Sequence, residues 1–111
     1  MSKLYSGTVV VLATLTPRPG KLQAVLELAQ PVIQFAQDYE KGCFEFQVFT
    51  EVNPEGVEQI FTIERFKDTE TLALHQANEA LETFNKAVKE KDLLVTEIVS
   101  KNVKAVAGFV V

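Results

Sequence analysis

Residues 8–15 read Thr-Val-Val-Val-Leu-Ala-Thr-Leu, apolar or β-branched at odd and even places alike, and Pro17-Arg18-Pro19-Gly20 ends the run. Such a stretch predicts a central strand buried on both faces. After Gly20 the spacing changes to three and four. Leu22, Val25, Leu26, Ala29, Val32, Ile33 and Ala36 fall on one side, and Lys21, Gln30, Gln34 and Asp38 take the other. That period predicts an amphipathic helix, with a kink at Pro31, which has no N–H to donate, and a stop at Gly42. Two-residue alternation returns over residues 43–52 and again over 57–66. The segment between them, Asn53-Pro54-Glu55-Gly56, puts Pro and Gly at the second and fourth places of a type I turn. These runs predict a hairpin.

Asp68 is placed to cap a second helical region, with Glu70 favourable in its first turn. Leu74, Ala77, Leu81, Phe84 and Val88 form one helical stripe there, but Leu72 and His75 point the opposite way. A break near Ala77-Asn78 resolves the conflict. Asn78 then caps a second piece that buries Leu81, Phe84 and Val88, while Leu72 and His75 share a face of the first. Residues 93–103 regain strand character, and an apolar tail follows over 105–111.

The order strand-helix-strand, strand-helix-strand implies an α+β, ferredoxin-like sandwich in one domain over residues 1–111. It has a four-stranded antiparallel sheet with the first and third strands in the middle. Helices cover only one face of such a sheet. Val9, Val11, Ala13 and Leu15 nevertheless oppose Val10 and Leu12 in the first strand, and Ile60 and Phe66 oppose Phe61 and Ile63 in the third. A bare apolar face of that size asks for a cover, and a homodimer through the sheet faces, a dimeric α/β barrel, is the simplest. The tail with Phe109, Val110 and Val111 is expected to lie against the partner.

Composition narrows the function classes. At 111 residues, 47% apolar and 23% charged, the chain is long enough for one folded domain and too short for two. Eleven basic against fifteen acidic residues give a net charge of −4, the wrong sign for nucleic acid. A single cysteine and no Cys/His cluster point to a reducing compartment and no zinc site. The first seven residues contain no apolar leader, and no run is long enough to cross a membrane, so a cytoplasmic location is expected.

His75, the single histidine, is the side chain whose ordinary pKa lies nearest neutrality and the first candidate for moving a proton. Its bland alternative is a half-exposed histidine favoured by a helix C-terminus. Glu64 alternates with Ile60, Thr62 and Phe66 on a central strand, where a lone carboxylate is costly. It needs a partner, either His75, a backbone group or a charge across the dimer. Cys43 has no helix N-terminus beside it and reads as core. Phe44, Phe46, Phe49, Phe61, Phe66 and Phe84 are candidates for an aromatic pocket or simply for the core, and Tyr5 and Tyr39 place hydroxyls near element ends. The sequence contains no phosphate loop, nucleotide fingerprint or Ser/His/Asp spacing.

Three segments resemble the antibiotic biosynthesis monooxygenase family of dimeric α/β barrels, which includes small quinol monooxygenases. They are Pro17-Arg18-Pro19-Gly20-Lys21 at the first helix entry, Pro31 with Lys41-Gly42-Cys43, and Ile63-Glu64-Arg65-Phe66-Lys67-Asp68 running to Leu72-Ala73-Leu74-His75. The resemblance implies a pocket between helices and sheet for a small apolar, aromatic or quinol-like molecule. It also implies oxygen chemistry without metal or other cofactor. His75 and Glu64 are the catalytic positions it carries over, with Phe66, Leu72, Phe84 and Val11 around the substrate. The chain departs from the pattern at Glu79-Ala80, where members often have a second histidine after a proline, and at Phe66, where they have Trp. In the similar haem-degrading branch the iron ligand falls where this chain has Phe84, so haem is not expected.

The leading expectation is therefore a cofactor-independent monooxygenase in which His75 accepts a proton from a phenolic or quinol substrate that Glu64 orients. The missing second histidine leaves a non-catalytic dimeric ligand-binding or scaffold protein as the alternative. An isomerase of the same fold needs an anion-binding group, which only Arg65 or a lysine could supply.

Overall fold

The computed structural model describes residues 7–111; residues 1–6, with Tyr5, lie outside the described residues. The elements follow in the order β1 (Val9–Leu15), α1 (Leu22–Tyr39), β2 (Cys43–Val52), β3 (Glu58–Phe66), α2 (Thr69–Gln76), α3 (Glu79–Glu90) and β4 (Val99–Val103). The four strands form one antiparallel sheet in the order β2-β3-β1-β4, with three helices, which is the ferredoxin-like α+β arrangement. In the centre Val11 pairs with Glu64 and Ala13 with Thr62, so these side chains share one face.

Local chemistry accounts for the boundaries. The β2–β3 turn closes with Gly56 N–H donating to the Asn53 carbonyl at 2.9 Å, and Gly56 holds a φ of +82°, which glycine adopts without strain. The Asp68 carboxylate accepts from the Thr71 N–H at 2.8 Å and so starts α2. The break between α2 and α3 falls at Ala77-Asn78, as the opposed stripes require, and Asn78 Oδ1 accepts from the Leu81 N–H at 2.7 Å.

Helix α1 runs through Pro31 over 18 residues. The carbonyl that loses its donor belongs to Glu27, and both residues are exposed, so water can satisfy it. The helix ends at Tyr39, before Lys41-Gly42. Two expectations are corrected. First, Gly42 is not what stops α1, whose cap is Glu40. Gly42 is needed for a close approach: a Cβ there would lie 2.5 Å from Thr71 Cγ2. Second, the last strand is shorter than residues 93–103. The carbonyl of Leu93 accepts from Arg18 N–H and Leu94 bridges Pro17, so this end pairs with the exit of β1, and regular pairing resumes only in β4.

The helices cover one face. There Ala13, Leu15, Val25, Val32, Ile60, Phe84, Val88 and Leu93 form the main core, and Val11, Phe66 and Leu72 a second cluster. On the opposite face Leu12, Phe49, Val99 and Val103 are exposed, as are Phe109, Val110 and Val111 in the tail. Arg65 and Glu45 also lie on this face, joined by an ion pair of 3.1 Å. No helix among the described residues is long and apolar enough to cross a membrane.

Candidate functional site

His75 occupies the last turn of α2 and is 3% exposed. The lone-surface-histidine alternative is therefore not what the fold presents. Its Nε2 lies 3.2 Å from Glu64 Oε1 on β3, and its Nδ1 lies 2.7 Å from Glu40 Oε1 at the end of α1. Each carboxylate has a further donor. Thr62 Oγ1 donates to Glu64 Oε2 at 2.7 Å, and Asn78 Nδ2 donates to Glu40 Oε2 at 2.9 Å. The result is a buried chain of groups, Thr62–Glu64–His75–Glu40–Asn78, drawn from four elements and their junctions.

Aromatic packing fixes the imidazole plane. The Phe66 ring lies 5.0 Å from it in a tilted contact, and Phe46 meets it edge-on at 5.9 Å. Burial by itself disfavours the charged ring, but its hydrogen bonds to the Glu64 and Glu40 carboxylates, with the attraction of both charges, outweigh it. The pKa is raised above the ordinary 6.5. With both ring nitrogens facing carboxylate oxygens, each acts as an N–H donor when the ring is protonated. The two carboxylates face opposite edges of the ring and converge on no common point. Among the described residues no group of three His, Cys, Asp or Glu side chains could hold a metal ion.

Beside this chain lies a cavity of about 280 Å³ between the helices and the sheet, with lining residues from all four strands. Val11, Glu64, Leu72, His75 and Phe84, five of the six residues singled out in the sequence, line it. The sixth, Phe66, does not. It is fully buried and packs against the His75 ring, so it supports the site from behind. Val25, Val32, Ile60 and Phe84 make most of the wall apolar, while Thr62, Gln76, Asn85 and Ser100 add polar atoms. Of the other phenylalanines only Phe46 reaches the cavity; Phe44 and Phe49 are exposed.

Sequence reasoning missed Glu40. It stands where the helical period ends, and its contact with His75 spans 35 positions, so no local pattern marks it. Asn78 was legible as a helix cap; its second role, holding Glu40, was not. Cys43 is half-buried near the Val11–Phe66–Leu72 cluster, and burial is the main cause that pushes its thiol up to about 11.

Comparison with known proteins agrees with this arrangement. Residues 8–87, from the approach to β1 through most of α3, match the family model described as antibiotic biosynthesis monooxygenase. Among solved structures the chain is similar to Rv0793 of Mycobacterium tuberculosis, at 22% identity and a TM-score of 0.76, over 91% of this chain and 97% of that one. It is similar to a conserved protein of Methanosarcina mazei, at 23% identity and 0.76, over 87% and 91%. PA3566 of Pseudomonas aeruginosa matches at 20% identity and 0.75, over 93% and 98%. Likeness at these identities speaks for the fold. No curated protein matches the chain. The family model spans β1, β3 and the helical region that together supply His75, Glu64 and the cavity wall, and on that match the chain belongs to the antibiotic biosynthesis monooxygenase family.

Proposed function

We propose that this protein is a cofactor-independent monooxygenase acting on a small, neutral, electron-rich aromatic such as a quinol, as a homodimer closed through the bare sheet faces. One observation carries the reading: a hydrogen-bonded pair of ionisable groups, His75 with Glu64, lines a mainly apolar cavity. Family membership supports monooxygenase chemistry in general. The exposed Leu12, Phe49, Val99 and Val103 support the dimer.

The chemistry closes without a further reductant. The His75–Glu64 pair takes a proton from the quinol hydroxyl, and the resulting anion is rich enough in electrons to reduce oxygen directly. A quinol and one O2 become a hydroxyquinone and one water: the ring loses four electrons, one oxygen atom enters it, and the other leaves as water. Apolar walls exclude bulk water from the anion, so the nearby imidazolium stabilises it more strongly than it could in solution.

No Lys or Arg is among the residues that line the cavity, which favours a neutral substrate over a phosphorylated one. Arg65, the group an isomerase of an anionic compound would need, lies on the opposite face of the sheet with Glu45. Oxygen uptake over a panel of quinols tests the proposal. Turnover that falls about a hundredfold in His75→Ala and in Glu64→Ala is expected. Quinol binding with no oxygen consumed would instead make the protein a non-catalytic ligand-binding dimer.

A further inference from the structure

We propose that Glu40 is a positioning residue for this reaction: tethered by Asn78, it grips Nδ1 of His75, keeps both ring nitrogens acting as donors, and so leaves the Glu64 carboxylate to receive the substrate's proton. The inference rests on the functional reading above and reverses the roles that reading first suggests for His75 and Glu64. Glu40 does not line the cavity, whereas Glu64 and His75 do, so Glu40 acts only through the imidazole.

The geometry supplies the reason. A histidine that is to accept a proton must present a bare nitrogen to the substrate. Here Nδ1 faces Glu40 at 2.7 Å and Nε2 faces Glu64 at 3.2 Å, and both side chains are nearly buried. Two carboxylates can be satisfied together only by a ring with two N–H groups, because a neutral imidazole leaves one buried carboxylate facing a lone pair. Glu64 Oε2 accepts from Thr62, and of the two ionisable side chains that line the cavity, His75 and Glu64, only Glu64 keeps free lone pairs once the ring carries two N–H groups. In the step that follows, the substrate O–H bond breaks and an O–H bond forms on Glu64. The negative charge passes from Glu64 to the substrate oxygen, and the His75 imidazolium remains protonated between that charge and Glu40.

Asn78 makes the grip durable. Its Oδ1 caps α3 while its Nδ2 holds Glu40 Oε2, so the start of α3 fixes the end of α1 against α2. The titratable groups around the ring are Glu40 from the end of α1, Glu64 from β3 and Cys43 from the start of β2, whose thiol stays neutral below about pH 11. None of them is a cation competing for the carboxylates.

The test uses the fact that the chain has one histidine. In protein labelled with 15N-histidine at pH 6.5, both ring nitrogens are expected to be protonated in the wild type, and a single neutral tautomer would overturn the proposal without any variant. Glu40→Gln keeps the shape and removes the charge, so the His75 titration moves to lower pH. Asn78→Ser keeps a helix cap and removes the tether, and moves it less in the same direction. An unmoved titration in Glu40→Gln, with only a lower melting temperature, makes Glu40 a packing residue. With an active quinol, turnover falls as pH rises through the His75 titration, and this limb moves to lower pH in Glu40→Gln, with kcat down about tenfold or more. Turnover that rises through the same titration makes neutral His75 the base and overturns the inference while leaving the monooxygenase reading intact. Absence of turnover with every quinol counts against that reading alone, because the nitrogen spectra still decide the state of the ring.

Discussion

On the helix-covered face of the sheet Ile60 and Phe66 are 2% and 0% exposed; on the other face Leu12 and Phe49 are 42% and 44% exposed. Alternation along β1 and β3 distributes apolar residues to both sides in the same way, so side-chain chemistry does not separate the two faces. What separates them is the cover. Three helices close one face into a core that still leaves a cavity, and in that low-dielectric space a carboxylate must find a donor, which draws Glu64 to Thr62 and His75. On the uncovered face the charged pair is Arg65 with Glu45, joined at 3.1 Å, and neither residue lines the cavity. A candidate site needs both burial and space, and on the covered face the cavity beside Glu64 and His75 brings the two together.

The sharpest break in this comparison is Phe66→Ala against Leu12→Ala. Removing the fully buried ring is expected to cost about 3–5 kcal/mol in urea unfolding, since it opens a hole behind His75. Leu12→Ala is expected to change the stability of a single chain by about 0.5 kcal/mol or less. Leu12→Glu places a charge at the centre of the bare face, and a dimer formed there should dissociate at micromolar concentration in sedimentation, with the fold retained. A stable single subunit in the wild type would remove the dimer from the proposal.

A smaller effect is expected at the joint between the site and its support. Gly42→Ala drives a methyl into Thr71, whose hydroxyl is already held by Asp68 at 2.7 Å, so the start of α2 must shift. A loss of about 1–3 kcal/mol is expected, together with a moved His75 resonance, because α2 carries that residue. A stability and a resonance both unchanged would show that Thr71 yields freely.

The smallest effect is in the pH dependence. The folded chain holds His75 above its ordinary 6.5, so the stability that this contact contributes is fully present below pH 6.5 and is lost as pH rises through the folded value. Unfolding free energy should therefore decline above pH 6.5, and His75→Gln should flatten that decline.

Much of this was legible along the chain. Periods of two and of three to four mark β1, β2, β3 and α1, and the opposed directions of Leu72–His75 and Leu81–Phe84 require the break that Asn78 caps. Glu64 on a central strand announces a need for a partner, and His75 was a named candidate. The limits were equally physical. Residues 93–103 look uniformly strand-like, yet Leu93 and Leu94 are taken by the exit of β1. Phe66 shares the alternation of Glu64 and Thr62, but its packing against the imidazole, and not the cavity, decides its role.

The sequence by itself determined most of the segments that become strands and helices, that both sheet faces are apolar, and that His75 and Glu64 are the first candidates for moving a proton. Those properties follow from short-range spacing, which a chain displays in its order of residues. Only the tertiary structure decided that Glu40 closes the other side of the imidazole and that Gly42 is a point of close approach and not a helix stop. Both depend on elements distant in the chain meeting at one place, where burial turns an ordinary surface carboxylate into a group that must be hydrogen-bonded.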